Sequence, residues 1–195
     1  MKTIQIPLFP LHTVLFPGGP LPMRVFETRY LDMISNCMKT NKGFGVCMIR
    51  EGKEVGKASK THTVGTIAKI TDWHQGHEGL LGITTNGQQR FRIASVQVQA
   101  NQLSIATAEL LPEEPEIELP DKYLSLVDVL RKILEDAGHH YEELPRRYGD
   151  ANWVSFRLAE LLPISLDNKQ NLLEMDDPLE RLEYLFSTLE GLEIY

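Results

Sequence analysis

The chain has 195 residues, of which 42% are hydrophobic and 24% charged, and its net charge at pH 7 is −7. This composition is ordinary for a folded globular protein and excludes collagen-like, low-complexity and wholly disordered classes. No apolar run approaches the about 20 residues that span a bilayer, so we expect no membrane partner. Cys37 and Cys47 have no metal-binding spacing and no signal peptide precedes them, which indicates a reduced, cytoplasmic protein.

The first half of the chain has the pattern of short β-strands. Apolar and β-branched runs alternate with turn-forming residues such as Pro17–Pro20 and Asn86–Gly87. Strands are predicted at Thr3–Ile6, Thr13–Phe16, Leu21–Phe26, Phe44–Ile49, Val64–Ile70, Leu80–Thr84, Gln89–Val98 and Leu103–Leu110. Short strands at this spacing favour a barrel or a curled sheet.

Alternation within the strand Gln89–Val98 predicts which side chains face the core. Its period of two residues places Phe91 and Ile93 inward and both Arg90 and Arg92 outward. These two arginines are therefore expected on the surface of the sheet.

One helix is predicted inside the strand-rich half. From Glu27 to Met38 the apolar residues lie on a single stripe, at three- and four-residue spacing. Asn41–Gly43 ends this helix, and Gly43 is the residue expected to adopt a left-handed conformation there.

The second half has the pattern of helices. A helix is predicted from Asp121 to Gly138, where apolar residues repeat at three- and four-residue spacing. Three further helices are predicted from their capping residues: Asp150 caps one that ends at Leu162, Ser165 caps Asp167–Met175, and Asp177 caps one that begins at Pro178 and ends near Leu189.

Charge and composition change between the two halves. Residues 1–100 carry 12 basic and 6 acidic residues, whereas residues 101–195 carry 8 and 21. Three prolines and four glutamates crowd residues 112–120, as in a linker. We therefore predict an α+β protein with a strand-rich domain over 1–112, a linker over 113–120 and a helical domain over 121–195.

Several segments together resemble the N-terminal domain of Lon proteases, including stand-alone bacterial versions of it. They follow the order of that family over nearly the whole chain and comprise Ile6–Leu11, Val14–Gly18, Leu21–Tyr30, Phe44–Val46, Val64–Ile70, Gly87–Ile93 and Leu162–Leu173. The resemblance implies a PUA-like β-barrel with one inserted helix, followed by a C-terminal helical bundle. It also implies recognition of polypeptide substrates or partner proteins, with an ATP-dependent protease or its substrates as the partner.

The sequence lacks the motifs of the other Lon activities. There is no Gly-x-x-x-x-Gly-Lys-[Ser/Thr] loop for ATP phosphates, no serine in the Lon protease setting and no Gly-x-Ser-x-Gly elbow. We therefore predict a non-enzymatic binding module without cofactor or metal. An exposed apolar patch or a sheet edge would provide its contact with polypeptide.

Candidate binding residues come from the densest polar cluster and from one proline- and glycine-rich loop. The candidates are Phe16, Arg24, Glu27, Arg29, Tyr30, Arg90 and Arg92. The alternative for the polar cluster is a structural ion pair, such as Glu27 with Arg90. The alternative for Phe16 is burial in the core.

Other functional classes are considered alternatives. Arg50, Lys53, Lys57, Lys60 and Lys69 could contact RNA, but acidic residues interleave with them and stacking aromatics do not, so nucleic acid is not the expected partner. A small-ligand or hydrolase pocket assembled from distant residues remains a third hypothesis. The segment Asp72–Glu78 is predicted to be a solvated turn with Trp73 packed against the sheet.

Overall fold

A computed structural model describes residues 2–76 and 80–191 of the chain. Contacts between Cα atoms divide it into two units, Met1–Glu113 and Glu114–Tyr195. The first unit is dominated by a sheet and the second is helical, so the protein is a mixed α/β protein as the strand and helix patterns predict. His77 and Glu78 of the predicted turn lie outside the described residues.

The strands of the first unit pair in a closed circuit. β1 pairs with β7, β7 with β6, β6 with β5, β5 with β3, and β3 with β1 again. β2 pairs with the first part of β6, and β4 pairs with β3. The bounds are β1 Thr3–Leu11, β2 Pro20–Val25, β3 Phe44–Glu51, β4 Lys60–Thr61, β5 Val64–Gln75, β6 Leu81–Val98 and β7 Ser104–Leu110.

The segment Thr13–Phe16 is not a strand, contrary to prediction. Its apolar residues are buried because the segment packs into the core, and the Thr66 hydroxyl donates a hydrogen bond to the Leu15 carbonyl at 2.6 Å. A short apolar run is typical of any buried segment and not only of a strand, which is why the predicted strand is wrong.

The predicted turn at Asn86–Gly87 is also wrong, because β6 continues through it for 18 residues. The amide of Gly87 donates to the Gly19 carbonyl at 2.8 Å, and the amide of Gly18 donates to the Gly87 carbonyl at 2.7 Å. A Cβ atom on Gly87 would collide with the carbonyl of Phe16. Glycine is needed here for close approach of two backbone segments.

Arg90 is buried, which corrects the prediction that it lies on the surface of the sheet. Thr66 of β5 pairs with Arg90 and Ala68 pairs with Gly87, so three steps along β6 match two along β5. The extra residue forms a β-bulge before Arg90, but the pairing from Arg90 to Phe91 is regular, so these two side chains point to opposite faces of the sheet. Both faces are therefore covered at this point, which alternation along one strand does not predict. Phe91 is buried as predicted.

The end of β5 extends where a turn was predicted. β3 pairs with β5 only at residues 66–68, so the far end of β5 lies beyond that neighbour and residues 71–75 are exposed. Trp73 is consequently 56% exposed and is not packed against the sheet as expected.

Helix α1, Thr28–Thr40, packs one face into the core of the sheet. Its Tyr30 ring stacks on Phe9 with centroids 4.1 Å apart. Asn41 takes the left-handed conformation at the end of the helix, with φ 51°, instead of the predicted Gly43. Gly43 serves close packing, since a Cβ atom there would lie 2.6 Å from the Ala68 carbonyl oxygen.

The second unit contains α2 Leu124–Asp136, α3 Ala151–Leu161, α4 Leu166–Glu174 and α5 Pro178–Gly191. Its predicted caps are confirmed, because Asp150 accepts from the Asn152 amide and Ser165 from the Asn168 amide. Asp177 likewise accepts from the Leu179 amide at 2.8 Å. Over the described ranges, no helix has both the length and the apolar character to cross a bilayer.

A buried arginine of α5 ties the second unit together. Arg181 donates to the Asn152 side chain at 2.7 Å, the Ser155 hydroxyl at 3.1 Å and the Met175 carbonyl at 2.6 Å. It also forms an ion pair with Glu114. One side chain thereby connects α5 to α3, to the segment before α5 and to the start of the unit.

Candidate functional site

A surface cleft of about 450 Å³ lies at the beginning of α1. Three segments of the first unit form it: the start of α1, the loop after β3 and the tip of the β6–β7 hairpin. Its lining residues are Phe26, Glu27, Thr28, Arg29, Asp32, Gly56, Asn101 and Gln102.

Arg29 connects the helix to the hairpin tip. Its guanidinium donates to the Gln102 carbonyl at 2.8 Å and forms an ion pair with Glu27 at 3.1 Å. It also lies 4.5 Å from the centroid of the Tyr30 ring, a distance at which a cation interacts with an aromatic face. The Arg29 side chain is buried, so these contacts fix the wall of the cleft before any partner binds.

Glu27 and Gln102 also hold the loop after β3. The Gly56 amide donates to the Glu27 carboxylate at 3.3 Å, and the Ala58 amide donates to the Gln102 side chain at 3.4 Å. Gly56 has φ 87°, a conformation that favours glycine. Glu27 and Gln102, the two residues that Arg29 contacts, therefore also position this loop.

Phe26 is the apolar residue of the cleft. It follows Val25, which is buried at the end of β2, and precedes the cap of α1, so neither element buries its ring. The side chain is 58% exposed. Sequence reasoning placed Phe26 in a strand and missed it as a candidate. The usable signal was a large aromatic residue between the end of a strand and the start of a helix.

The structure brings together only part of the predicted set. Glu27 and Arg29 line the cleft, and Tyr30 lies beneath Arg29 in the core, where burial raises its pKa. Glu27 forms its ion pair with Arg29 and not with Arg90 as the structural alternative proposed.

The other predicted residues lie elsewhere. Phe16 is fully buried, which matches the alternative of core packing and removes its ring from any surface contact. Arg90 is buried and does not line the cleft. Arg24 and Arg92 are exposed, but neither lines the cleft.

The predicted basic stretch is partly neutralised by its own acidic residues. Glu51 lies 2.8 Å from the Lys60 ammonium and 3.9 Å from the Arg50 guanidinium, and all three side chains are exposed. The hydrogen bond from Lys60 lowers the pKa of Glu51. Across residues 2–76 and 80–191, no group of three or more His, Cys, Asp or Glu residues is arranged to hold a metal.

The ATP-dependent protease La (LON) substrate-binding domain matches residues 5–191 of the chain. The chain belongs to this family. Curated relatives include the Lon proteases of Escherichia coli K12, 27% identical over 97% of the chain, and Flavobacterium johnsoniae, 24% identical over 98%. In both cases the match covers 25% of the relative, so the chain spans about a quarter of the length of these Lon proteases.

Solved structures of the family have the same fold. The Lon N-terminal domain protein from Xanthomonas campestris is 36% identical, with a TM-score of 0.80 over 94% of this chain and 98% of that one. The N-terminal domain of Mycobacterium avium complex Lon protease is 18% identical, with a TM-score of 0.66 over 94% and 97%. The chain thus has the fold of a Lon N-terminal domain, and the segment matched is a substrate-binding domain.

Proposed function

We propose that this protein is a non-enzymatic module that recognises polypeptide through the cleft at the start of α1. The observation that carries the proposal is the exposed Phe26 ring beside walls fixed by the buried Arg29. Exposed aromatic rings in preformed pockets are typical anchors of protein interfaces. Membership of a family described as substrate-binding supports the same conclusion.

The chemistry of the cleft favours binding over catalysis. Its lining residues include no Ser, Cys, His or Lys, and of its two carboxylates, Glu27 and Asp32, the first is already engaged by Arg29 and the Gly56 amide. Its one arginine is already engaged by Glu27 and by the Gln102 carbonyl. Hydrogen bonding and apolar contact are therefore the interactions that this cleft offers.

The remaining parts of the proposal rest on the family resemblance. We propose that the closed circuit of strands is a PUA-like β-barrel within a domain of residues 1–112, and that residues 121–195 form a helical bundle. We also propose a cytoplasmic protein whose polypeptide partners are substrates of an ATP-dependent protease or the protease itself. The mutual pairing of β1, β3, β5, β6 and β7 supports the first of these.

Binding of unfolded casein tests the proposed function. Phe26→Ala is expected to weaken the affinity for fluorescently labelled casein, measured by anisotropy, by about five- to tenfold, because one aromatic anchor is lost. The matched control is Trp73→Ala, since Trp73 is equally exposed but does not line the cleft. Both variants should keep the melting temperature within about 2 °C, as exposed side chains contribute little to stability.

Two results would contradict the proposal. Equal losses of casein affinity in Phe26→Ala and Trp73→Ala would show that the cleft is not the recognition surface. The RNA hypothesis would be favoured if the wild-type protein did not bind casein but bound single-stranded RNA with an affinity that falls steeply with salt.

A further inference from the structure

The last part of β6 has a strand neighbour on one side only among the described residues. On that side β7 pairs with it from Ser95 to Val98. On the other side β5 begins at Val64, which pairs with Arg92, and the Ile93 amide donates to the Thr63 carbonyl at 2.7 Å. Residues 94–98, which we call the β6 edge, continue past the point where β5 begins.

The ladder with β7 determines which main-chain groups point away from the sheet. The Gln99 amide donates to the Leu103 carbonyl at 2.9 Å, which makes 99 and 103 a hydrogen-bonded pair. Antiparallel pairs alternate between hydrogen-bonded and non-hydrogen-bonded types, so Gln97 also faces β7. The amides and carbonyls of Val96 and Val98 consequently point to the open side.

The β6 edge lacks the features that usually protect an exposed strand. Val96 and Val98 are 47% and 49% exposed, and residues 93–103 contain no charged residue and no proline. Natural edge strands are commonly blunted by charges, prolines or covering segments. The bulge between Ile93 and Ser95 lies before the two valines and leaves them in a regular strand.

We propose that the β6 edge binds an extended, uncharged segment of the polypeptide substrate as an added β-strand. The added strand would continue the line of β5 and form main-chain hydrogen bonds with Val96 and Val98. Its alternate apolar side chains would lie against the two valine side chains, as in other cases of strand addition. The hairpin that carries the edge also supplies Asn101 and Gln102 to the cleft. This inference rests on the proposed function and names the mode of binding.

A second copy of this chain fits the β6 edge less well than a polypeptide segment does. The edge is five residues long, whereas stable protein interfaces engage about 20–30 residues on each side. Pairing of two such edges alone would therefore be too small to hold a dimer. A flexible extended segment needs only the main-chain groups and shallow apolar contacts that the edge presents.

Hydrogen exchange of the wild-type chain with casein as the probe tests the inference without a substitution. Saturating casein should slow exchange of the Val96 and Val98 amides by about tenfold or more. The Gln97 amide already faces β7 and should change much less. This alternation is specific to strand addition, since general coverage of the hairpin would slow all three amides alike.

Val96→Pro provides the matching affinity test. Proline removes the outward amide and is tolerated at a strand edge whose amide faces solvent, so the ladder with β7 is expected to survive. Casein affinity should fall about tenfold. The control Val96→Thr keeps the amide and a branched side chain and should lose less than about threefold. Melting curves of both variants identify any loss that comes from unfolding.

The outcomes separate the two proposals. Casein binding that is weakened by Phe26→Ala but leaves the exchange of Val96 and Val98 unchanged would overturn strand addition and keep the proposed function. Equal losses in Val96→Pro and Val96→Thr would also overturn it. Absence of casein binding to wild-type protein would overturn both proposals.

Discussion

The first unit leaves apolar side chains and main-chain groups at its surface, whereas the second unit buries charged side chains in its interior. Phe26, Val96 and Val98 are about half exposed in the first unit, and Arg157 and Arg181 are completely buried in the second. Contiguous exposed apolar patches mark binding surfaces, and buried charges require partners that fix the elements around them. The comparison supports the proposed recognition by the first unit and indicates internal cross-linking in the second, although Arg29 and Arg90 are also buried in the first unit and Leu124 is 53% exposed in the second.

The two units also differ in what their interiors contain. Around α1 the core consists mainly of aliphatic and aromatic residues such as Phe9, Phe44 and Ile34. In the second unit, the Arg157 guanidinium lies 3.1 Å from the Glu160 carboxylate, and the Lys169 ammonium donates to the Glu160 carbonyl at 2.6 Å. Substitution of charged residues should therefore affect the stability of the second unit most strongly.

The largest expected effect is that of Arg181→Ala. It removes three hydrogen bonds, the contact of the guanidinium with the Phe156 ring and the ion pair with Glu114, whose carboxylate is left without its arginine in a partly buried site. Loss of one partner of a buried ion pair costs about 3–5 kcal/mol of unfolding free energy, which denaturant unfolding would measure. The control Arg92→Ala, at an exposed arginine, should change it by less than about 0.5 kcal/mol. Similar effects of both variants would contradict the comparison.

A smaller effect is expected for Arg29→Ala, which tests whether a buried arginine in the first unit serves the cleft. Loss of charged hydrogen bonds costs about 1.5–3 kcal/mol each, and the Glu27 side chain left behind still reaches solvent. We expect about 2 kcal/mol of destabilisation by denaturant unfolding, together with weaker casein binding.

Arg29→Lys is the control for charge alone. Lysine keeps the positive charge but lacks the planar fork that contacts Glu27 and the Gln102 carbonyl together. It should therefore restore less than about half of the lost stability. Full restoration of stability and binding by lysine would show that charge, and not the bridging geometry, is what Arg29 contributes.

Features encoded by local sequence could be predicted, and features set by contacts with distant segments could not. The caps Asp150, Ser165 and Asp177 were predicted correctly because each depends on residues within a few positions. The exposure of Arg90 was predicted wrongly, because Arg90 and Phe91 are both buried although they point to opposite faces of the sheet. Which segments cover the two faces of a sheet depends on distant parts of the chain, which periodicity along one strand does not reveal.

The candidate site was only partly predictable for the same reason. Glu27 and Arg29 belong to one short segment, so the sequence grouped them, and the structure places both in the cleft. Gln102 joins them from 73 positions further along the chain, through its backbone carbonyl. A backbone acceptor carries no residue-type signal, so no pattern in the sequence identifies this contact.

The pH dependence of stability tests the buried charges of the second unit. Burial raises the pKa of Glu160 above its ordinary value of 4.5, although the Arg157 guanidinium, the Tyr141 hydroxyl and Lys169 all act to lower it. The folded state then binds this proton more tightly than the unfolded state. The contribution of Glu160 to stability is greatest below pH 4.5 and is lost as the pH rises through its raised pKa.

Glu160→Gln isolates that contribution. The variant cannot ionise at this position, so its unfolding free energy should decline less than that of the wild type as the pH rises from about 4.5 towards neutrality. Denaturant unfolding at a series of pH values gives both curves, and their difference cancels groups that titrate equally in the two proteins. Parallel curves over this range would mean that Glu160 has an ordinary pKa in the folded state.

The smallest expected effect concerns the thiols in the apolar core of the first unit. Burial raises the pKa of Cys47 to about 12 and also raises that of Cys37. Only the thiolate reacts rapidly with disulfide reagents, so neither cysteine should react appreciably in the native protein near pH 8. In denaturant both should react at once.

Reaction of either thiol requires opening of the core of the first unit. If the two units open independently, Arg29→Ala should accelerate the thiol reaction and Arg181→Ala should leave its rate low. Equal acceleration by both variants would show that the two units unfold together. The two units would then differ in composition and surface, but they would not have separate stabilities.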